Sequence, residues 1–140
     1  MIIHIAIQVE PNPGPGIRAM IVIDEEGAVI YSRAQLLNHR AYTNFEFAYQ
    51  TLIAAIKWAG KHTSGPVEIR TDQEILVKQL NGQWECRSER LMPLRDEALR
   101  LLEQSDYQIR YIPARENMRA RLLCRMLAHE TRKGGRVDAA

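Results

Sequence analysis

Val67-Glu68-Ile69-Arg70-Thr71-Asp72, followed by Leu76-Val77-Lys78-Gln79-Leu80-Asn81-Gly82, is the stretch that decides the fold. Val67 to Thr71 is rich in β-branched residues and predicts a strand. The strand ends on a hydroxyl and a carboxylate, Thr71 and Asp72. Gln73 to Leu80 predicts a short helix, which Asn81-Gly82 stops. A strand that passes at once into a helix is part of a crossover, the connection that parallel strands need.

Upstream, Ile2 to Val9 is β-branched and reads as a first strand. Pro11-Asn12-Pro13-Gly14-Pro15-Gly16 cannot continue a ladder and must turn. Ile17 to Asp24 is a second strand, Glu25-Glu26-Gly27 a short turn, and Ala28 to Leu36 a third strand. Short connections make these three antiparallel neighbours. Then the period changes. Thr43 with Glu46 three residues on is a capping-box signature. Leu52, Ile53, Ile56 and Trp58 follow in a helix to about Lys61, ended by Thr63-Ser64-Gly65-Pro66.

Downstream, Leu91, Leu94, Ala98, Leu101 and Leu102 form one apolar stripe of another helix. Tyr107 to Ile112 is a fifth strand, closed by Pro113. Met118, Leu122 and Met126, with Leu123 and Leu127, mark a last helix. Right-handed crossovers set strands four and five parallel to strand one. The expected fold class is α/β: a mixed five-stranded sheet flanked by helices, strands one to three antiparallel. One domain over residues 1–133 is expected, and 134–140 as a disordered tail.

The 140 residues suffice for a real core. An apolar fraction of 46% and a charged fraction of 26% are ordinary for a soluble globular protein. No run approaches a membrane span, and Met1-Ile2-Ile3-His4 lacks the features of a secretory signal. Cys86 and Cys124 have no metal-ligand spacing and read as free thiols in a reducing cytoplasm. The net charge of +2 does not by itself call for nucleic acid. It is uneven, however: residues 110–136 carry eight basic residues against Glu116 and Glu130, a local charge of +6. A basic C-terminal face on a nearly neutral domain is the asymmetry to follow.

Four motifs occur in order. They are Asn12-Pro13-Gly14-Pro15; Thr43, Asn44 and Tyr49; Thr71-Asp72 with Lys78-Gln79-Leu80-Asn81-Gly82; and Pro113 with Asn117-Met118-Arg119-Ala120-Arg121. Over about residues 1–128 the chain resembles a type 1 ribonuclease H of the compact prokaryotic kind. The resemblance implies metal-dependent cleavage of the RNA strand of an RNA–DNA hybrid, with Mg²⁺ or Mn²⁺ as cofactor. It also implies four carboxylate positions. They fall on Ala6, Ala48, Asp72 and Arg121, so Asp72 alone is retained.

Two-metal cleavage needs hard oxygen ligands around a pair of Mg²⁺ ions. Here the four positions sum to zero formal charge. Alanine offers no ligand, and a guanidinium repels a dication. Arg121 either pairs with Asp72, filling the place of a metal, or points to solvent. Glu10, Glu46 and Glu116 do not rebuild the cluster; Glu46 lies roughly 200° round the helix from Ala48. No metal site and no cofactor are expected.

Binding is the function that can survive. The resemblance implies contacts to a hybrid from Asn12, Gly14, Thr43 and Asn44, and an aromatic at the substrate edge, Trp84. Arg121 and Arg125, with His129 and Arg132, form a basic stripe on the last helix. Each has a plainer reading: Thr43 as an N-cap, Trp84 as a satellite core residue, the stripe as a solvated face. The expected function is an inactive ribonuclease H-like domain that binds nucleic acid weakly. The alternatives are a structural or protein-interaction module, as a homodimer or with a protein partner, and an active hybrid endonuclease with a rearranged site. No membrane partner is expected.

Overall fold

The computed structural model describes residues 1–38 and 41–133. The expected tail at 134–140 lies outside the described residues. Five strands form one sheet: β1 (Ile2–Val9), β2 (Gly16–Ile23), β3 (Val29–Leu37), β4 (Val67–Thr71) and β5 (Tyr107–Tyr111). Their order is β3-β2-β1-β4-β5. β1, β2 and β3 pair antiparallel, and β4 lies parallel to both β1 and β5. The helices are α1 (Asn44–His62), α2 (Glu74–Leu80), α3 (Met92–Glu103) and α4 (Met118–Lys133). This is the ribonuclease H-like arrangement expected above, with element ends within a residue or two.

Strand alternation divides the core into two layers. Ile3 and Ile5 of β1 and Val22 of β2 face α1, α2 and α3. Ala6, Ile17, Ala19 and Ile21 face α4 on the other side. Two glycines permit close approaches. A Cβ on Gly16 would lie 2.8 Å from the Phe47 ring of α1, and one on Gly14 would lie 2.3 Å from the Pro11 carbonyl oxygen.

The last helix forms where its apolar residues mark it. Met118, Leu122 and Met126 lie on α4, but they are 45%, 50% and 51% exposed. The buried stripe is Ala120, Cys124 and Ala128, with Leu123 and Leu127 partly covered. At 100° per residue the two stripes lie on nearly opposite sides of the helix. Small side chains win the inner side because α4 lies close over Ala6 and Ala19, where a leucine would not fit.

Ala120→Leu should therefore destabilise the fold by about 1–3 kcal/mol through overpacking. Leu122→Gln should stay within about 0.5 kcal/mol of the parent. Urea denaturation of both variants checks this, and the reverse order would mean that α4 buries its other face.

Candidate functional site

β1 and β4 run parallel, so their C-terminal ends meet at one end of the sheet. Ile5 pairs with Thr71. One residue further along that register sets Ala6 beside Asp72, with both side chains toward α4. Asn117 fixes where α4 begins: its Nδ2 donates to the Ile5 carbonyl at 2.8 Å, and His4 Nδ1 lies 3.2 Å from its Oδ1. Burial among these groups lowers the His4 pKa; the bond to Asn117 opposes that, and Arg70 and Arg119 add to it.

One turn later Arg121 Nη1 donates to Asp72 Oδ2 at 3.0 Å. The Asp72 side chain is 3% exposed and that of Arg121 is 43% exposed. The structure thus brings Asp72 and Arg121 together. Ala6 and Ala48, each 2% exposed, are packed into the two core layers on opposite faces of the sheet. Cys124, one turn beyond Arg121, is a buried free thiol. Burial pushes it up to about 12, with Arg121 pulling down and Asp72 pushing up, so it stays protonated and unreactive.

The start of α1 is a second cluster, closed on itself. Thr43 Oγ1 accepts from the Glu46 backbone N–H at 3.3 Å, and Glu46 Oε1 accepts from the Thr43 N–H at 3.2 Å. That is the expected capping box. Asn12 and Asn44 are also joined: the Asn44 N–H donates to Asn12 Oδ1 at 3.1 Å, and Asn12 Nδ2 to Asn44 Oδ1 at 3.2 Å. Gly14 N–H donates to the Tyr42 carbonyl at 3.1 Å. The Glu46 carboxylate, 4% exposed, takes a further bond from Arg90 at 3.1 Å. A buried carboxylate and spoken-for amides make this helix start a poor phosphate cradle in the observed arrangement.

Trp84 is half exposed, and the Lys78 ammonium sits 4.4 Å over its ring. It belongs to the segment after α2, apart from both clusters. Arg125 is exposed beside Leu122, Met126, His129 and Glu130.

Residues 7–127 match the family described as reverse transcriptase-like. The chain belongs to this family, as a type 1 ribonuclease H-like domain. A ribonuclease HI of Halobacterium salinarum is 29% identical over 110 residues, which are 78% of this chain. The chain spans about half the length of that curated relative, 54%. The crystal structure of ribonuclease H1 from the same archaeon superposes with a TM-score of 0.82 at 26% identity, covering 92% of this chain and 97% of that one. LC11 ribonuclease H1, isolated from compost by a metagenomic approach, was solved in complex with an RNA/DNA hybrid. It gives a TM-score of 0.72 at 21% identity, over 89% of this chain and 94% of that one.

The donor set of this ribonuclease H-like domain does not fit a two-metal centre. Asp72 supplies the carboxylate, Arg121 already neutralises it, and the two alanines supply nothing. Among the described residues no group of three or more His, Cys, Asp or Glu side chains gathers to hold an ion.

Two contributors escaped the sequence reading. Arg90 lies 44 residues from Glu46 and also donates to the Ala41 carbonyl at 2.9 Å. Asn117 was legible as a motif position, but its tie to β1 is a contact across 112 residues. No local pattern marks Arg90 or the tie from Asn117 to β1.

Removing one partner of a pair whose acid is nearly buried leaves that acid unmatched. Arg121→Ala should cost about 1–3 kcal/mol. Asp72→Asn combined with Arg121→Leu should recover most of that loss, since neither charge remains. A double-mutant cycle by chemical denaturation checks it. Additive effects would mean that the pair is not coupled.

Proposed function

We propose that this chain is a catalytically inactive ribonuclease H-like domain that binds nucleic acid, an RNA–DNA hybrid or another polyanion, in the cytoplasm. The observation that carries the reading is the Asp72–Arg121 ion pair; a guanidinium bound to that carboxylate repels a dication there. In-line phosphoryl displacement with two metals relies on the ions to clamp both the attacking and the leaving oxygen. With Ala6, Ala48 and Arg121 in ligand positions, no set of oxygens remains to hold them. Binding is supported by the charge of +6 over residues 110–136 and by Arg121 and Arg125 on α4. It is supported also by the hybrid held in the LC11 ribonuclease H1 structure. The retained Asn12, Gly14, Thr43, Asn44 and Trp84 would contribute to a hybrid surface. The first four would do so once the bonds between Asn12 and Asn44, from Gly14 to Tyr42 and between Thr43 and Glu46 are exchanged for bonds to the ligand.

Hydrolysis is the direct test. The purified chain should not cut an RNA–DNA hybrid above background in Mg²⁺ or Mn²⁺. An EDTA-sensitive cleavage that stays with the protein through several columns would overturn the reading in favour of an active, rearranged site. The triple variant Ala6→Asp, Ala48→Glu, Arg121→Asp should have lower apo stability, because its carboxylates are buried and repel one another. Mn²⁺ at about a hundred times its Kd should return about 2.7 kcal/mol. Thermal melts with and without Mn²⁺ read this. If neither the triple variant nor the milder Ala48→Glu, Arg121→Asp gains stability with metal, these are not the ligand positions.

Binding should weaken as salt rises, since phosphate contacts release counterions. Arg121→Ala with Arg125→Ala should reduce the slope of log K against log salt by about 2. Failure of hybrid, duplex and single strands alike to bind at low salt favours the second reading, a protein-interaction module. One observation supports that reading: Met118, Leu122 and Met126 form an exposed apolar stripe along α4. Such a stripe suits a partner helix or a second copy of the chain.

A further inference from the structure

A separate concentration of positive charge lies on the opposite face of the sheet from Asp72 and Arg121. Arg18 of β2 pairs across the ladder with Gln35 of β3, and Met20 pairs with Arg33. Arg18 and Arg33 are therefore diagonal neighbours on one face, about 7–8 Å apart at the backbone. That face lies under α1. Both guanidiniums line a cavity whose far wall is Thr51, Ala55 and Trp58.

No acid lines this cavity. Among the described residues neither arginine makes an ion pair. Arg18 is held instead by a neutral acceptor: its Nε and Nη2 both donate to Gln35 Oε1, at 3.2 and 3.0 Å. That fixes one edge of the fork and leaves Nη1 for another acceptor. Burial first, and Arg33 second, push the Arg18 pKa below its ordinary value. Arg18 is partly buried and Arg33 is exposed beside it, and the repulsion between the two like charges is a cost that an anion removes.

The shape narrows the class of anion. The Trp58 ring already stacks with Tyr31 and with His62, at 4.9 and 4.2 Å between ring centroids. Two stacking partners leave the indole little free face for a planar base. What remains is room for a compact anion with several oxygens, which two guanidiniums can grip together. We propose that the cavity between β2, β3 and α1 binds a phosphate group, held between Arg18 and Arg33. The phosphate comes either from a small phosphoester or from a nucleic-acid backbone. The site shares no residue with the Asp72–Arg121 end, so it stands or falls independently of the function proposed above.

The probe is inorganic phosphate, titrated into the whole chain at constant ionic strength with chloride as the control. The Trp58 indole N–H resonance should shift with phosphate and not with chloride. The Trp84 indole, outside the cavity, serves as the internal reference. Arg33→Gln, at an exposed position, should weaken the phosphate response by about tenfold or more, while Arg87→Gln, at an exposed arginine outside the cavity, should leave it unchanged. Arg18→Gln should act like Arg33→Gln; if it unfolds the chain, Arg33→Gln alone decides. Equal responses to phosphate and chloride, or a response that survives Arg33→Gln, overturns the site. Where phosphate binds, an RNA–DNA hybrid that displaces it identifies the backbone as the source. A hybrid that binds without displacing it identifies a small phosphoester.

Discussion

The structure hangs on the side-chain amide of Asn117. It is buried, its Nδ2 donates to the Ile5 carbonyl, and its Oδ1 faces His4. Both halves of the amide are tied to β1, at the one point where the chain crosses to the far face of the sheet. A buried amide satisfied at both ends fixes an orientation as well as a position, because any rotation leaves a polar atom dry. Everything on α4 follows from this. Ala120 falls on the sheet, Arg121 reaches Asp72, Cys124 is sealed off, and Met118, Leu122 and Met126 turn outward.

Electrostatics at the strand ends is one of pairing within the chain. Asp72 has Arg121, Glu46 has the cap of α1 and Arg90, and Asn12 has Asn44. Groups that a ribonuclease H resemblance assigns to metal or hybrid hold one another instead. Among the described residues, positive charge without an acidic partner includes Arg125 on the exposed side of α4 and Arg18 and Arg33 under α1. On the function proposed, nucleic acid would be held by charge spread over a surface, with little chemical direction.

Much of the fold was legible because it is local. β1 and β4 were bounded correctly by β-branched runs, and the Thr43–Glu46 box marked the start of α1 to the residue. The matched residues Asn12, Thr43, Tyr49 and Asn117 anchor the alignment that, on the function proposed, sets Ala6, Ala48 and Arg121 in carboxylate positions. What was not legible depends on distance in sequence or on competition between patterns. α4 carries two helical stripes, one of large apolar residues and one of small ones. Periodicity alone cannot say which meets the sheet; the closeness of Ala6 and Ala19 decides it. Arg18 and Arg33 belong to separate strands, and only the β2–β3 register makes them neighbours.

The Asp72–Arg121 pair also bears on which sequences this protein can reach by single steps. Restoring an acid at position 121 alone would set two carboxylates together with no cation between them. Restoring one at 6 or 48 alone would bury a charge in an apolar layer. Each first step is destabilising, and the four positions reward one another only when most are acidic at once. Such mutual dependence is non-additivity among coupled positions. On the function proposed, the guanidinium therefore works as a latch on the sequence: while Arg121 holds Asp72, every single step toward a carboxylate cluster runs uphill.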